Sequence, residues 1–205
     1  HMPIPEEFGP VFTGFERKPE KAVAKLLKEK TGCCPGVFYQ KEVGPIGLAY
    51  GRTVEGDKED RGGYGLAHME KKHPGFWGEV QTVLDTGKIF GGGEALKFLD
   101  KIHISDGKRL VVVTRNWKKD RTAGTWTITG FAPGSERYIR NKEKTVLREL
   151  QEAKEKASSG SSVLVTGDEP DGKTHFSSQR EDKQSLSQSN MGDYFPDTKT
   201  IVRWF

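Results

Sequence analysis

The chain has 205 residues, a formal net charge of +4, 33% hydrophobic residues and 30% charged residues. That length suits one ordinary domain, or one domain with a substantial extension, and no apolar run is long enough to span a membrane. The mildly basic charge is compatible with a nucleic-acid ligand, but it is also common in proteins that bind none. Cys33 and Cys34 are adjacent and have no third cysteine to pair with, so two reduced thiols are expected. The histidines show no ligand spacing around them, and we expect neither a metal site nor a cofactor.

The N-terminal part of the chain predicts a lead-in, a helix and a hairpin. Residues 1–18 are rich in Pro, Gly and Phe, which indicates an irregular lead-in, and the first two residues resemble a cloning remnant. From Pro19 to Lys30 apolar residues recur at helical spacing after a proline suited to a helix start. Residues 35–40 and 43–51 are two short apolar segments interrupted by glycine and proline, which predicts a β-hairpin.

The block Gly62–Pro74 (GGYGLAHMEKKHP) predicts a short helix after a glycine-rich approach, and Pro74 ends it. On such a helix His68 and Lys72 lie one turn apart on one flank. An imidazole beside a cation can handle a phosphodiester, since one moves a proton and the other meets negative charge. A surface helix with solvated lysines and a satisfied histidine is the alternative. His73 shares the face of the apolar residues, which favours a packed or capping role.

A second amphipathic helix is predicted over residues 75–87. The run of three glycines at residues 91–93 lacks the Lys-Ser/Thr of a phosphate-binding loop and is interpreted as a turn. The pattern then changes to alternating, β-branched segments at residues 102–104, 109–117 and 125–131, which predict an antiparallel meander.

The C-terminal third differs in composition from the rest of the chain. Residues 136–157 are charged with a thin apolar seam, which predicts a helix that packs loosely or reaches away from the core. Residues 158–190 are rich in Ser, Gly, Asp and Gln and are interpreted as a linker, and residues 198–205 alternate like a last strand. The predicted division is therefore a lead-in over 1–18, one domain over 19–135 and an extension over 136–205.

Several blocks in the same order resemble one family: EKAVAKLLKEKTG, PGVFYQKEVGPIGLAYG, GGYGLAHMEKKHP, RLVVVTRNW and TWTITGF. They resemble the phage-associated nucleases of the barnase–EndoU–colicin–RelE-like superfamily, small domains of phage proteins and polymorphic toxins. The resemblance covers residues 18–132. It implies an α+β fold, with N-terminal helices packed on a twisted antiparallel sheet of about four strands, followed here by a helical and polar C-terminal extension. It also implies metal-independent RNA cleavage, in which the ribose 2′-hydroxyl attacks the adjacent phosphate and leaves a 2′,3′-cyclic phosphate and a 5′-hydroxyl.

The resemblance assigns the main catalytic roles to two residues. His68 matches the histidine of the family's Gly-Leu-x-His block and would carry the proton. Thr129 matches the hydroxyl of the family's Thr-Ala/Gly-Phe strand and would donate to a phosphate oxygen, or it is an ordinary strand threonine. Where the family commonly has an acid in an Ile-Asp-Leu block, this chain has Gly47. If the family's acid has a catalytic or ligand-positioning role, this chain lacks that role. If the acid is only structural in the family, its replacement by glycine does not affect catalysis.

Five further candidates complete the expected site. Arg115 is a candidate catalytic cation, and Arg109 is a candidate substrate contact. Both lie on the strand where the implied fold places cations, and their even spacing allows them to share one face of the sheet. Either could equally be a solvated strand residue. Lys72 is a catalytic candidate through its helical spacing from His68. Tyr64 and Trp126 are candidates for RNA binding, although Trp126 is also a natural core residue.

The implied partners are RNA, with transfer RNA as one possibility, and a cognate immunity protein if the domain is a toxin. The expected place of action is the cytoplasm of a bacterial target cell, with the domain delivered or phage-encoded. One alternative is a non-catalytic relative that binds nucleic acid or a component of a phage or secretion system. Another is an interaction module in which the 136–205 extension captures a partner.

Overall fold

The computed structural model describes residues 4–120 and 122–165, and these residues fold into five α-helices and six β-strands. The helices are α1 (Pro19–Glu29), α2 (Gly65–Lys72), α3 (Trp77–Thr86), α4 (Ala95–Phe98) and α5 (Glu136–Val165). The strands are β1 (Cys33–Gln40), β2 (Gly44–Ala49), β3 (Lys88–Ile89), β4 (Lys101–Ser105), β5 (Leu110–Arg115) and β6 (Thr125–Phe131).

The predicted N-terminal helices, the hairpin and the meander are all present. Helix α1 begins at Pro19 as expected, because proline needs no N–H partner in the first turn. It ends at Glu29, since Lys30 adopts a left-handed conformation (φ 56°) while its N–H bonds to the carbonyl of Leu26 at 2.8 Å. Helix α2 stops at Lys72, two positions before Pro74.

The six strands form one sheet in the order β1-β2-β6-β5-β4-β3. Neighbouring strands are antiparallel except β2 and β6, which pair in parallel through Gly47 and Trp126. The fold is therefore α+β, as expected. The expected number of about four strands was too low, because the β1–β2 hairpin joins the meander into one sheet and β3 extends the far edge.

Two apolar layers cover the sheet, one on each side. On the side that we call the helix face, α1, α2 and α3 pack against strand residues such as Val111 and Val113. The side that we call the α5 face carries Val112 and Ile128, and helix α5 covers it with buried side chains. The buried α5 residues are Tyr138, Ile139, Val146 and Leu150.

Helix α5 is longer and better packed than the sequence indicated. Its N-terminal half lies on the sheet, with Leu147 at the rim and 46% exposed. It continues past the predicted end at Ala157 to Val165, into the segment interpreted as linker. The rest of that linker and the predicted last strand over 198–205 lie outside the described residues. No helix in the described part of the chain is both long and apolar enough to cross a membrane.

Candidate active site

The imidazole of His68 is held by a buried carboxylate. Its ring, on α2, is 2% exposed, and its Nδ1 lies 2.7 Å from Oδ2 of Asp60, which is fully buried. The other carboxylate oxygen, Oδ1, accepts hydrogen bonds from the Val54 N–H at 2.5 Å and the Lys71 ammonium at 3.0 Å. A carboxylate on Nδ1 fixes the orientation and tautomer of an imidazole, which assigns proton uptake to Nε2.

Charge and burial set the protonation of this pair. Burial lowers the pKa of His68, against the opposing effect of Asp60, and the ammonium groups of Lys72 and Lys71 lower it further. Burial alone would raise the pKa of Asp60, but the hydrogen bonds from Val54, His68 and Lys71 hold that pKa below its ordinary value. At neutral pH the pair is therefore a neutral imidazole beside an ionised carboxylate, which is the state that a general base requires.

A glycine makes room for the carboxylate. A Cβ at Gly63 would lie 2.0 Å from Oδ2 of Asp60, so any side chain there would displace the atom that contacts His68. Asp60 itself has a left-handed backbone (φ 54°), a conformation that aspartate tolerates better than most residues. The glycine-rich approach to α2 thus serves the geometry of the Asp60–His68 pair.

The two lysines of α2 tie the charged loop at residues 53–61 to the helix. The Lys72 Nζ donates to the carbonyl of Lys58 at 2.9 Å and lies 3.5 Å from a carboxylate oxygen of Glu59. The Lys71 Nζ donates to the carbonyls of Val54 and Asp57, each at 3.0 Å, in addition to Asp60. The structure therefore brings Lys72 close to His68, as the helical spacing predicted, within a compact loop–helix unit.

Thr129 lies on β6, the strand against which α2 packs. It is 1% exposed, and its hydroxyl oxygen has no hydrogen-bond partner among the described residues. Its cross-strand neighbour is Val112, so the side chain lies on the α5 face.

The two arginines lie on the other side of the sheet. Arg109 pairs with Asp106 (Nη2–Oδ2, 2.7 Å) and with Glu79 of α3 (Nη1–Oε1, 3.1 Å). Arg115 donates to the carbonyl of Leu96 in α4, and its Nε is buried without a partner among the described residues. Arg109 contacts α3 and Arg115 contacts α4, on the one face that their even spacing allowed, and the structure does not bring them together with Thr129.

Tyr64 and Trp126 belong to a buried aromatic cluster. The Phe8 ring lies 4.8 Å from the Trp126 ring and 5.9 Å from the Tyr64 ring, between centroids. The Trp126 indole N–H donates to the carbonyl of Ala123 at 2.6 Å. Burial, together with the nearby Glu7, raises the pKa of Tyr64 to about 12. In this arrangement neither ring presents an open face on which an RNA base could stack.

The departure at Gly47 has a packing reason. A Cβ at this position would lie 2.4 Å from Cζ3 of Trp126, so no acidic side chain fits beside that ring. The carboxylate that contacts His68 is that of Asp60. Sequence reasoning missed Asp60 because it is one of four acids between Thr53 and Arg61, and only the two glycines that follow it set it apart.

Within residues 4–120 and 122–165, no group of three or more His, Cys, Asp or Glu side chains could hold a metal ion.

Comparison with known proteins places this geometry in a family. Residues 37–137 match the model described as phage-Barnase-EndoU-ColicinE5/D-RelE like nuclease1. The match includes Asp60, His68 and Thr129 and ends at the second residue of α5. Searches of the curated proteins and of the solved structures returned no match. Residues 37–137 therefore form a domain of the phage Barnase-EndoU-ColicinE5/D-RelE-like nuclease family, and the match supports a nuclease function.

Proposed function

We propose that the chain is a metal-independent endoribonuclease in which His68, oriented by Asp60, carries the proton. The observation that carries the proposal is the buried contact between these two side chains, inside the segment that matches a nuclease family. A neutral imidazole can accept the proton of a ribose 2′-hydroxyl through Nε2, and the 2′-oxygen then attacks the adjacent phosphorus. The P–O5′ bond breaks as the new P–O2′ bond forms, and the imidazolium of His68 returns the proton to the leaving 5′-oxygen, which gives a 2′,3′-cyclic phosphate and a 5′-hydroxyl. A positioned acid or base of this kind contributes about 10²–10⁴-fold to the rate.

The other roles follow from charge and position. Lys71 and Lys72 supply two ammonium groups near His68, which a phosphodiester would take over in part from their present partners Asp60 and Glu59. Thr129 lies on the strand that packs against α2, but its side chain is on the α5 face, so we do not assign its hydroxyl to the reaction at His68. We place Arg115 and Arg109 outside the immediate reaction, since the Arg115 guanidinium donates to the Leu96 carbonyl and that of Arg109 pairs with Asp106 and Glu79.

The wider biology is part of the same proposal. The net charge of +4 fits RNA as substrate, including a structured RNA such as transfer RNA, in the cytoplasm of a bacterial target cell. If the domain is a toxin, an acidic immunity protein that mimics RNA would inhibit it. Competition between that inhibitor and RNA for one surface supports this mechanism, and simultaneous binding of both rules it out.

A second function is favoured by the burial of the imidazole. Because the His68 ring is 2% exposed, RNA can reach it only after a local rearrangement. A domain that binds nucleic acid or a protein partner without cleaving would need no such rearrangement. The missing acid at Gly47 favours the same alternative.

One experiment separates the two functions. The full chain is incubated with total transfer RNA in EDTA, beside His68→Gln and the matched control His73→Gln. His73 is a suitable control because it follows α2 directly but stacks on Phe131, with ring centroids 5.0 Å apart. Cleavage that persists in EDTA, disappears in His68→Gln and survives in His73→Gln supports the nuclease proposal. Retention of RNA without cleavage supports the binding module.

A further inference from the structure

The α5 face of the sheet carries a row of polar side chains beneath the helix. His103 on β4 pairs with Val112 on β5, which in turn pairs with Thr129 on β6. Directly paired residues share a face of the sheet, and neighbouring strands are about 4.8 Å apart. His103 and Thr129 therefore stand about 10 Å apart on one line across three strands.

Both ends of this row lack hydrogen-bond partners. His103 is 2% exposed, and in the described part of the chain neither of its ring nitrogens has a partner. The hydroxyl of Thr129 is in the same state. A buried polar group without a partner costs about 1–3 kcal/mol, and native proteins keep few of them. Two on one line therefore need an explanation that packing does not give.

The surroundings of the row are cationic. Lys101 lies two positions before His103 on β4 and so on the same face, and Lys142 of α5 is 5% exposed. Burial and these two ammonium groups together lower the pKa of His103 well below its ordinary value, which places both charges close to the ring. Lys142 leaves with α5, so the sheet itself keeps one cation, Lys101, beside an imidazole and a hydroxyl, and these three groups have the chemistry of an anion site.

Helix α5 fits this surface imperfectly. A cavity of about 290 Å³ lies between helix α5 and the β4–β5 turn, beside the row and not lined by it; its lining includes Phe90 and Ile139 and the acids Asp106, Glu136 and Glu143. The Phe90 ring stacks on His103, with centroids 6.0 Å apart. The family match ends at residue 137, so the covering helix lies almost wholly outside the matched domain.

We propose that the row Lys101–His103–Thr129 is a binding surface for the phosphate backbone of RNA, and that α5 is a removable cover that occludes it. Release of α5 exposes the imidazole and the hydroxyl, which then gain phosphate oxygens as partners. The inference rests on the proposed function only in taking RNA as the anion, and it does not require His68 to be catalytic.

The test displaces α5 in the full chain and measures RNA binding. Val146 of α5 is 2% exposed, so Val146→Asp undocks the helix, whereas Leu147→Asp places the same charge at a neighbouring position that is 46% exposed. Both are made in a His68→Gln background, and binding of a short fluorescein-labelled single-stranded RNA is measured in EDTA. If the helix is docked most of the time, its release raises affinity by at least about tenfold. We expect that gain for Val146→Asp alone, and its loss when Lys101→Gln is added.

A second experiment holds α5 in place, so that an effect of its release can be distinguished from general unfolding. Glu94 and Lys154 form an ion pair between the segment before α4 and helix α5, and their side chains are 62% and 32% exposed. Replacing both with cysteine and joining them with a short bis-maleimide holds α5 down, while the buried Cys33 and Cys34 react slowly. Cross-linking should abolish RNA binding by this surface.

Either of two results overturns the proposal. One is no gain in RNA affinity for Val146→Asp when hydrogen exchange shows an open α5 over a protected sheet. The other is an undiminished gain in RNA affinity when Val146→Asp is combined with the cross-link. These readouts stay separate from the proposed catalysis, because a wild-type chain that never cleaves RNA would still show the gain on release of α5.

Discussion

Removing the charge of Asp60 should weaken the fold and disable His68 together. The Asp60→Asn variant keeps the size of the side chain, and its amide oxygen can still accept the Val54 N–H. It loses the charge-assisted contacts to His68 at 2.7 Å and Lys71 at 3.0 Å. Breaking a buried pair by removing one partner costs about 3–5 kcal/mol. Because the Lys71 side chain is 33% exposed, solvent screens its share, and we expect about 3 kcal/mol.

Urea unfolding at pH 7 measures this loss, with Asp85→Asn as the control, because Asp85 is an exposed acid on α3 that accepts a bond from Gln81. The pKa of Asp60 is lowered in the folded state, so its stabilisation is present above the unfolded value of about 4 and disappears as the pH falls through the folded value. The gap between wild type and Asp60→Asn should therefore narrow below about pH 4. An Asp60→Asn protein within about 0.5 kcal/mol of wild type at pH 7 would refute a structural role for the pair.

Three further outcomes follow from packing and burial. Gly47→Ala should lower the free energy of unfolding by about 1–3 kcal/mol, because its Cβ meets the Trp126 ring. Adding Trp126→Leu should recover part of that loss. An unchanged midpoint of urea unfolding for Gly47→Ala would contradict the clash. Burial raises the pKa of Cys33 to about 12 and that of Cys34 to about 11. A thiol reagent at pH 8 should therefore modify the two cysteines only as fast as the protein unfolds. Rapid labelling of the native chain would contradict their burial. The unfolded chain binds a proton at His103 below about pH 6.5 while the folded chain does not, so this group should lower the stability by about 1.4 kcal/mol for each unit that the pH falls. His68 and His73 also have lowered pKa values, so His103→Phe should reduce the total slope by the share of His103 and leave theirs.

Local patterns in the sequence predicted the elements, and long-range contacts arranged them. The helix that begins at Pro19 follows from spacing and from residues with clear start and stop preferences. The parallel contact between Gly47 and Trp126 joins the hairpin to the meander across a long sequence separation, and no periodicity indicates it. The docking of α5 depends on a few buried residues such as Tyr138 and Val146, which a charged sequence shows only as a thin seam.

In the candidate site, too, the sequence predicted individual residues, whereas the fold determined their partners. His68 could be selected from a motif, but its carboxylate partner is fixed by a loop fold in which Gly63 makes room for Asp60. Arg109 has the residue type of a phosphate contact, yet its guanidinium pairs with Asp106 and Glu79. Residue type predicts what a side chain can do, whereas neighbours brought by the fold determine whether it is available.

If His68 moves the proton in a metal-independent cleavage, the end groups of the products report it directly. The measurement compares an RNA oligonucleotide with the same oligonucleotide carrying one 2′-deoxy nucleotide at the cleavage position, both in EDTA. We expect 2′,3′-cyclic phosphate and 5′-hydroxyl ends from the RNA, no cleavage at the deoxy position, and a loss of about 10²–10⁴-fold in rate for His68→Gln. Cleavage at the deoxy position, or an undiminished rate for His68→Gln, would contradict the role of His68.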